Sequence, residues 1–142
     1  MVSKTEQYLM DLAAKMGNGS VSVGFMEAAT YPDGESVPEV AFKNEFGVPS
    51  KGQPPRPFFR RMIAKESPNW TPRMARLSQQ NGFDGQRTLG IMGEDIKGGL
   101  QESINTLTEP ALSPVTIARK GFSKPLIDTS HMLNSITYEV EE

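Results

Sequence analysis

Apolar positions along the chain recur at two different spacings, and glycine or proline marks most of the changes between them. Residues 5–16 place Tyr8, Leu9, Leu12, Ala13 and Met16 three or four apart, which predicts an amphipathic helix stopped by Gly17-Asn18-Gly19. Residues 20–26 then alternate, with Val21, Val23 and Phe25 on one side, the period of a half-buried strand. Tyr31-Pro32-Asp33-Gly34 reads as a turn with proline second and glycine fourth. A short helix or extended piece over 38–46 ends at Gly47, a left-handed cap.

The segment 47–57 holds four prolines and two glycines and reads as an extended loop. Its eleven residues span at most about 36 Å, enough to reach a neighbouring molecule. Residues 58–65 resume as helix, and Thr71-Pro72 supplies an N-cap oxygen and a first-turn proline for another. The longest periodic run is 86–105, where Leu89, Met92, Ile96, Leu100 and Ile104 fall three and four apart. Gly90, Gly93, Gly98 and Gly99 interrupt it, each weakening the helix by about 1 kcal/mol relative to alanine, and are read as sites of close backbone contact. Ser113-Pro114 begins a short helix that Gly121 closes, and Thr129 caps a last one running to Asn134. Residues 136–140 alternate again, with Ile136, Tyr138 and Val140 on one face. The expected fold is α+β, one domain over 1–142: a small antiparallel sheet of the 20–26 and 136–140 strands, packed by one long helix and several short ones.

Size agrees with one core, since 142 residues folding alone bury about two-thirds of the unfolded surface. The absence of cysteine removes disulfides, thiolate zinc sites and thiol nucleophiles, and agrees with assembly in a reducing cytoplasm. No secretory signal and no bilayer-spanning apolar run is expected, so no membrane is implied. A net charge of −2 argues against nucleic-acid binding as the main activity. The charges are segregated, however. Arg56, Arg60, Arg61, Lys65, Arg73 and Arg76 face only Glu66 within 56–76, whereas 27–45 holds five acids against Lys43.

No catalytic constellation emerges. Asp128, Ser130 and His131 are neighbours on a tight turn and do not form the nucleophile–base–orienter line of a triad. The single histidine lacks identifiable co-ligands for a metal, and neither glycine pair has the spacing of a phosphate or dinucleotide loop, so no cofactor is expected. The aromatic and basic mixture from Phe58-Phe59-Arg60-Arg61 through Trp70 and Arg73 leaves three readings open. It is a surface that stacks and neutralises nucleic acid, a helix with Phe58 or Phe59 in the core, or a protein interface whose basic side meets the acidic 27–45 region, within the chain or on another copy.

Two proline-stiffened segments bear on that choice: Asn44-Glu45-Phe46-Gly47 with Pro54-Pro55-Arg56-Pro57-Phe58-Phe59-Arg60, and Ala111-Leu112-Ser113-Pro114 with Lys124-Pro125-Leu126-Ile127-Asp128-Thr129. Each ends in apolar residues that need a surface, either their own domain or a partner. In this order, with a helix-forming region between, the Glu-Phe-Gly, Pro-x-Arg-Pro-Phe and Pro-Leu-x-Asp-Thr elements resemble the tail-completion or head-to-tail joining proteins of long-tailed phages, a group that includes the virion morphogenesis and tail-component families. The resemblance covers about residues 37–140. The chain departs from it at Ser130, where the family often has glycine after Asp-Thr, and at the 31–36 loop.

The resemblance implies a structural virion protein that is not an enzyme, assembled in the host cytoplasm and placed at the neck. It implies a closed ring of six copies that completes the tail and joins it to the head connector. Its partners would be the tail tube or terminator on one side and the connector or stopper on the other, with DNA passing through the lumen without specific binding. The interface would use Phe46, Pro55, Arg56, Pro57, Phe58, Phe59, Arg60 and Arg61 from the first segment and Leu126, Ile127 and Asp128 from the second. The alternative is a nucleic-acid-binding module using the basic cluster 56–76.

Overall fold

Ser3 opens the first helix by accepting a hydrogen bond from the Glu6 amide (3.1 Å), and α1 runs Lys4–Met16. The coordinates are a computed structural model and describe residues 3–106 and 130–141. After α1 come β1 (Ser20–Phe25), α2 (Val37–Phe46), a single 3-10 turn (Pro49–Lys51), α3 (Phe58–Gln80), α4 (Gly85–Thr106), α5 (Ser130–Asn134) and β2 (Ile136–Glu141). The fold is α+β, with a small antiparallel sheet packed against helices. The expected helix after Ser113-Pro114, the Thr129 cap, and Leu126, Ile127 and Asp128 lie outside the described residues; His131 falls within α5.

The two strands pair as their alternation requires. Val21 faces Val140, Val23 faces Tyr138 and Phe25 faces Ile136, so the apolar members of both strands share one side of the sheet. That side packs on α4, which in turn packs on α3, giving the order sheet, α4, α3. Gly93 permits the closest approach: a Cβ there would lie 2.5 Å from the Tyr138 ring and 2.9 Å from Val21. The close contact read from the glycines of α4 holds at Gly93 and at Gly99, where a Cβ would meet the Glu66 carboxyl. It fails at Gly90 and Gly98, which face open space.

The core is one cluster of Val37, Ala41, Phe58, Met62, Leu100, Ile104, Met132 and Ile136, with Phe25, Phe59, Trp70 and Ile96 packed at its edge. It joins α2, α3, the C-terminal half of α4, α5 and β2.

Two expectations are corrected. Thr71-Pro72 does not start a helix, because α3 continues through Pro68 and Pro72 to Gln80, which makes it a second long helix beside α4. Each proline removes one hydrogen-bond donor, but both are exposed and four residues apart, so water reaches the carbonyls left unpaired on that face. The 47–57 segment is not an extended arm. Val48 and Gln53 exchange backbone hydrogen bonds (2.9 and 3.1 Å), Gly52 takes the left-handed conformation between them, and the Arg56 amide donates to the Asn44 carbonyl (2.6 Å), returning the chain to the end of α2. Gly47 makes this fold-back possible. Its φ is 75°, and a Cβ would lie 2.7 Å from the Gln53 carbonyl oxygen.

Candidate interaction surface

Helix α3 starts at a residue that is a poor cap. Pro57 occupies the N-cap position and has no side-chain oxygen to offer the first free amides. Glu45, at the last turn of α2, supplies it. Its carboxylate accepts the Phe59 amide (2.8 Å) and the Arg60 amide (3.3 Å), and also Arg60 Nε (2.9 Å), while the Glu45 carbonyl accepts Arg60 Nη2 (2.8 Å). A carboxylate at the positive end of a 23-residue helix is favoured by the helix dipole as well as by these bonds. Glu45 is 5% exposed and fully engaged.

Helix α2 carries two adjacent stripes four residues apart. Val37, Ala41 and Glu45 are buried. Pro38, Phe42 and Phe46, each one position on, lie about 100° further round the helix and line an apolar groove of about 320 Å³ with Phe25, Ala41, Glu45, Phe58, Phe59 and Arg60. Phe42 and Phe46 are 64% and 50% exposed and touch in a tilted pair, ring centroids 4.8 Å apart. The Arg60 guanidinium lies over the Phe46 ring at 4.7 Å, so the clamp that caps α3 also fixes one wall of the groove.

The structure divides the expected interface residues. Phe46, Phe59 and Arg60 line the groove, and Pro55 and Arg61 are exposed. Phe58, expected from sequence either in the core or at an interface, is core and not interface: it is fully buried, edge-on to Phe25 at 6.1 Å, with its carbonyl accepting Ser103 Oγ (2.6 Å). Arg56 is likewise not presented to a partner. It is 8% exposed, its Nε has no hydrogen-bond acceptor among the described residues, and burial lowers its guanidinium pKa from the ordinary value, although arginine stays charged throughout the accessible pH range. Pro57 is half-buried.

Pairing between the opposite charge blocks occurs within the chain, through Arg60 and Glu45. Arg73 Nε donates to Asp95 on α4. With Arg56 buried, the 56–76 cluster is split between internal partners and solvent.

Phe42 was missed as a wall of this surface, although it is visible as one of two aromatics four apart, Phe42 and Phe46. Glu45 as a cap was not legible, because its partners lie fourteen and fifteen residues on.

A second apolar surface is the stripe on α1. Tyr8 is 60% and Leu9 57% exposed, and no residue of this helix is buried. A more polar cleft of about 410 Å³ runs between α3 and α4, lined by Glu66, Trp70, Arg73, Asp95 and Glu102 among others. Among the described residues no group of three or more histidine, cysteine or carboxylate side chains is placed to hold a metal, and no helix is long and apolar enough to cross a membrane. Comparison with family models, with curated proteins and with solved structures finds no match.

Proposed function

We propose that the protein is a structural subunit that assembles through apolar surface, and that, following its sequence resemblance, it belongs to the neck of a long-tailed phage as a ring completing the tail and joining it to the head connector. The observation that carries the assembly reading is the groove of Phe42, Phe46 and Phe59, held in shape by the Glu45–Arg60 clamp. Two adjacent aromatics half or more exposed are costly to leave in water and are typical of contact surfaces. The partners of such a ring are its own copies, the tail tube or terminator, and the connector or stopper, with DNA passing through without specific contacts.

The charge placement favours assembly over nucleic-acid binding by the 56–76 cluster. Arg60 and Arg73 are engaged by carboxylates and Arg56 is buried, which leaves Arg61, Lys65 and Arg76 as the exposed cations of that stretch without a carboxylate partner among the described residues. The test is an image reconstruction of assembled virions. A ring of this chain at the neck is expected; density absent from neck and tail, or present as isolated copies, defeats the reading. In parallel, affinity for DNA at physiological salt is expected to be negligible, and a steep loss of tight binding with added salt would support the alternative instead.

A further inference from the structure

We infer that Arg56 anchors a small-oxyanion site at the junction of α2 and α3, where its guanidinium takes a carboxylate or phosphate group. The inference goes beyond the assembly reading and does not depend on it. Arg56 is 8% exposed, its Nε is sealed from solvent without an acceptor, and no ion pair, side-chain hydrogen bond or aromatic ring engages the guanidinium among the described residues. Arginine keeps its proton throughout the accessible pH range, so this cation does not escape the cost of burial by becoming neutral. A buried charge without a counter-charge is destabilising, and an anion that supplies the counter-charge is held in return.

The chain holds the side chain in this position. Arg56 stands between Pro55 and Pro57, which fix φ on both sides, and the proline that follows keeps Arg56 itself extended. Its amide donates to the Asn44 carbonyl (2.6 Å) and its carbonyl accepts the Phe58 amide (2.9 Å), so local backbone motion does not carry the guanidinium out to water while the return of the chain to α2 is intact. The carboxylate of this junction is already committed. Glu45 accepts the Phe59 and Arg60 amides and Arg60 Nε, which neutralises Arg60 and leaves Arg56 without a counter-charge.

The class of ligand follows from the donors and from access. A guanidinium presents its N–H groups in a planar fork that two oxygens of a carboxylate or phosphate match, whereas chloride meets it as a single point. With Nε sealed, the contact is end-on, through Nη1 and Nη2. The stretch 47–61 carries Lys51, Arg56, Arg60 and Arg61 and no acid, so its sign favours an anion. The recessed position sets the size: Arg56 is out of reach of a broad partner surface and open to a group of a few atoms.

The test reads the Arg56 Nε–H signal by NMR in the 15N-labelled full chain, assigned by its loss in Arg56→Lys. Sodium phosphate, sodium acetate and sodium chloride are titrated separately at matched ionic strength. A saturating shift with phosphate or acetate and none with chloride is expected, and the oxyanion that saturates at lower concentration tells a tetrahedral ligand from a planar one. No shift, or the same shift in all three salts, overturns the site. Thermal unfolding is the second measurement. The parent is expected to melt higher in the binding oxyanion than in chloride, and Arg56→Lys, whose ammonium cannot make the two-point contact, to need roughly tenfold more anion for the same rise. Arg56→Met is expected to lose the rise. An equal rise in the parent and in Arg56→Met is general salt stabilisation and likewise overturns the site.

Discussion

Helices α1 and α2 carry the same kind of signal in the sequence, apolar residues three and four apart, and the fold treats them in opposite ways. In α2 one stripe, Val37 and Ala41, is buried in the core, and the stripe beside it, Phe42 and Phe46, forms an open groove. In α1 Leu12 is partly buried and Tyr8, Leu9 and Met16 face water. Amphipathic spacing states that a helix has an apolar side. Whether that side is covered depends on a second element brought within reach. For α2 that element is α3, whose first turn is tied back to it by Glu45, whereas α1 touches the body at the start of α4. Val37 and Ala41 therefore stabilise the fold, whereas Tyr8, Leu9, Phe42 and Phe46 stay open to solvent.

The sharpest way to break the comparison is at the groove floor. Phe58→Ala is expected to lower unfolding stability by about 3–5 kcal/mol, since it empties a fully buried aromatic site between α3 and α4. A loss below about 1 kcal/mol in denaturant unfolding would mean that the floor is not core. The clamp is next. Glu45→Gln keeps the size but removes the charge that caps α3, and is expected to cost about 1–2 kcal/mol. Glu39→Gln, which touches only the exposed Lys43 at 3.9 Å, is expected to change stability by about 0.5 kcal/mol or less.

The same contrast between covered and open surface recurs within α4. Gly93→Ala forces a methyl against Tyr138 and Val21 and is expected to destabilise by about 1–3 kcal/mol, whereas Gly98→Ala enters open space and is expected to stabilise by about 1 kcal/mol. A stabilising Gly93→Ala would show that the sheet does not press on α4 there. The smallest effect belongs to α1. Leu9→Ser is expected to leave the unfolding free energy of dilute protein within about 0.5 kcal/mol of the parent, and a larger loss would place the stripe among the covered surfaces.

Much of the fold was legible because its signals are local. Both strands, their apolar faces, the turn at Tyr31–Gly34 and the long helix through Ile104 follow from alternation, helical spacing and turn residues, and the structure has each of them. Thr71-Pro72 misled because a cap signature is also compatible with a helix interior when the proline faces water, and only the packing of α3 along α4 decides between the two. The proline-rich 47–57 segment misled for a related reason. Proline sets φ, but Gly47 and Gly52 set the direction of the chain, and their positive φ values appear only once the fold-back is made.

Of the candidate surface, the sequence by itself determined the chemistry: an aromatic and basic stretch after a stiff segment, beside acidic residues that pair with it. Tertiary structure decided which of those groups remain available. Phe58 and Arg56 are exposed in an isolated helix and loop, and become buried because α4 and the end of α2 close over them. Arg60 acquires a fixed partner because Glu45, fifteen residues earlier, is delivered to the start of α3. Local spacing carries the period of each element, but burial and pairing are sums over residues distant in sequence. That is why the groove, with Phe42 and Phe46 open above a buried Phe58, exists only in the folded chain.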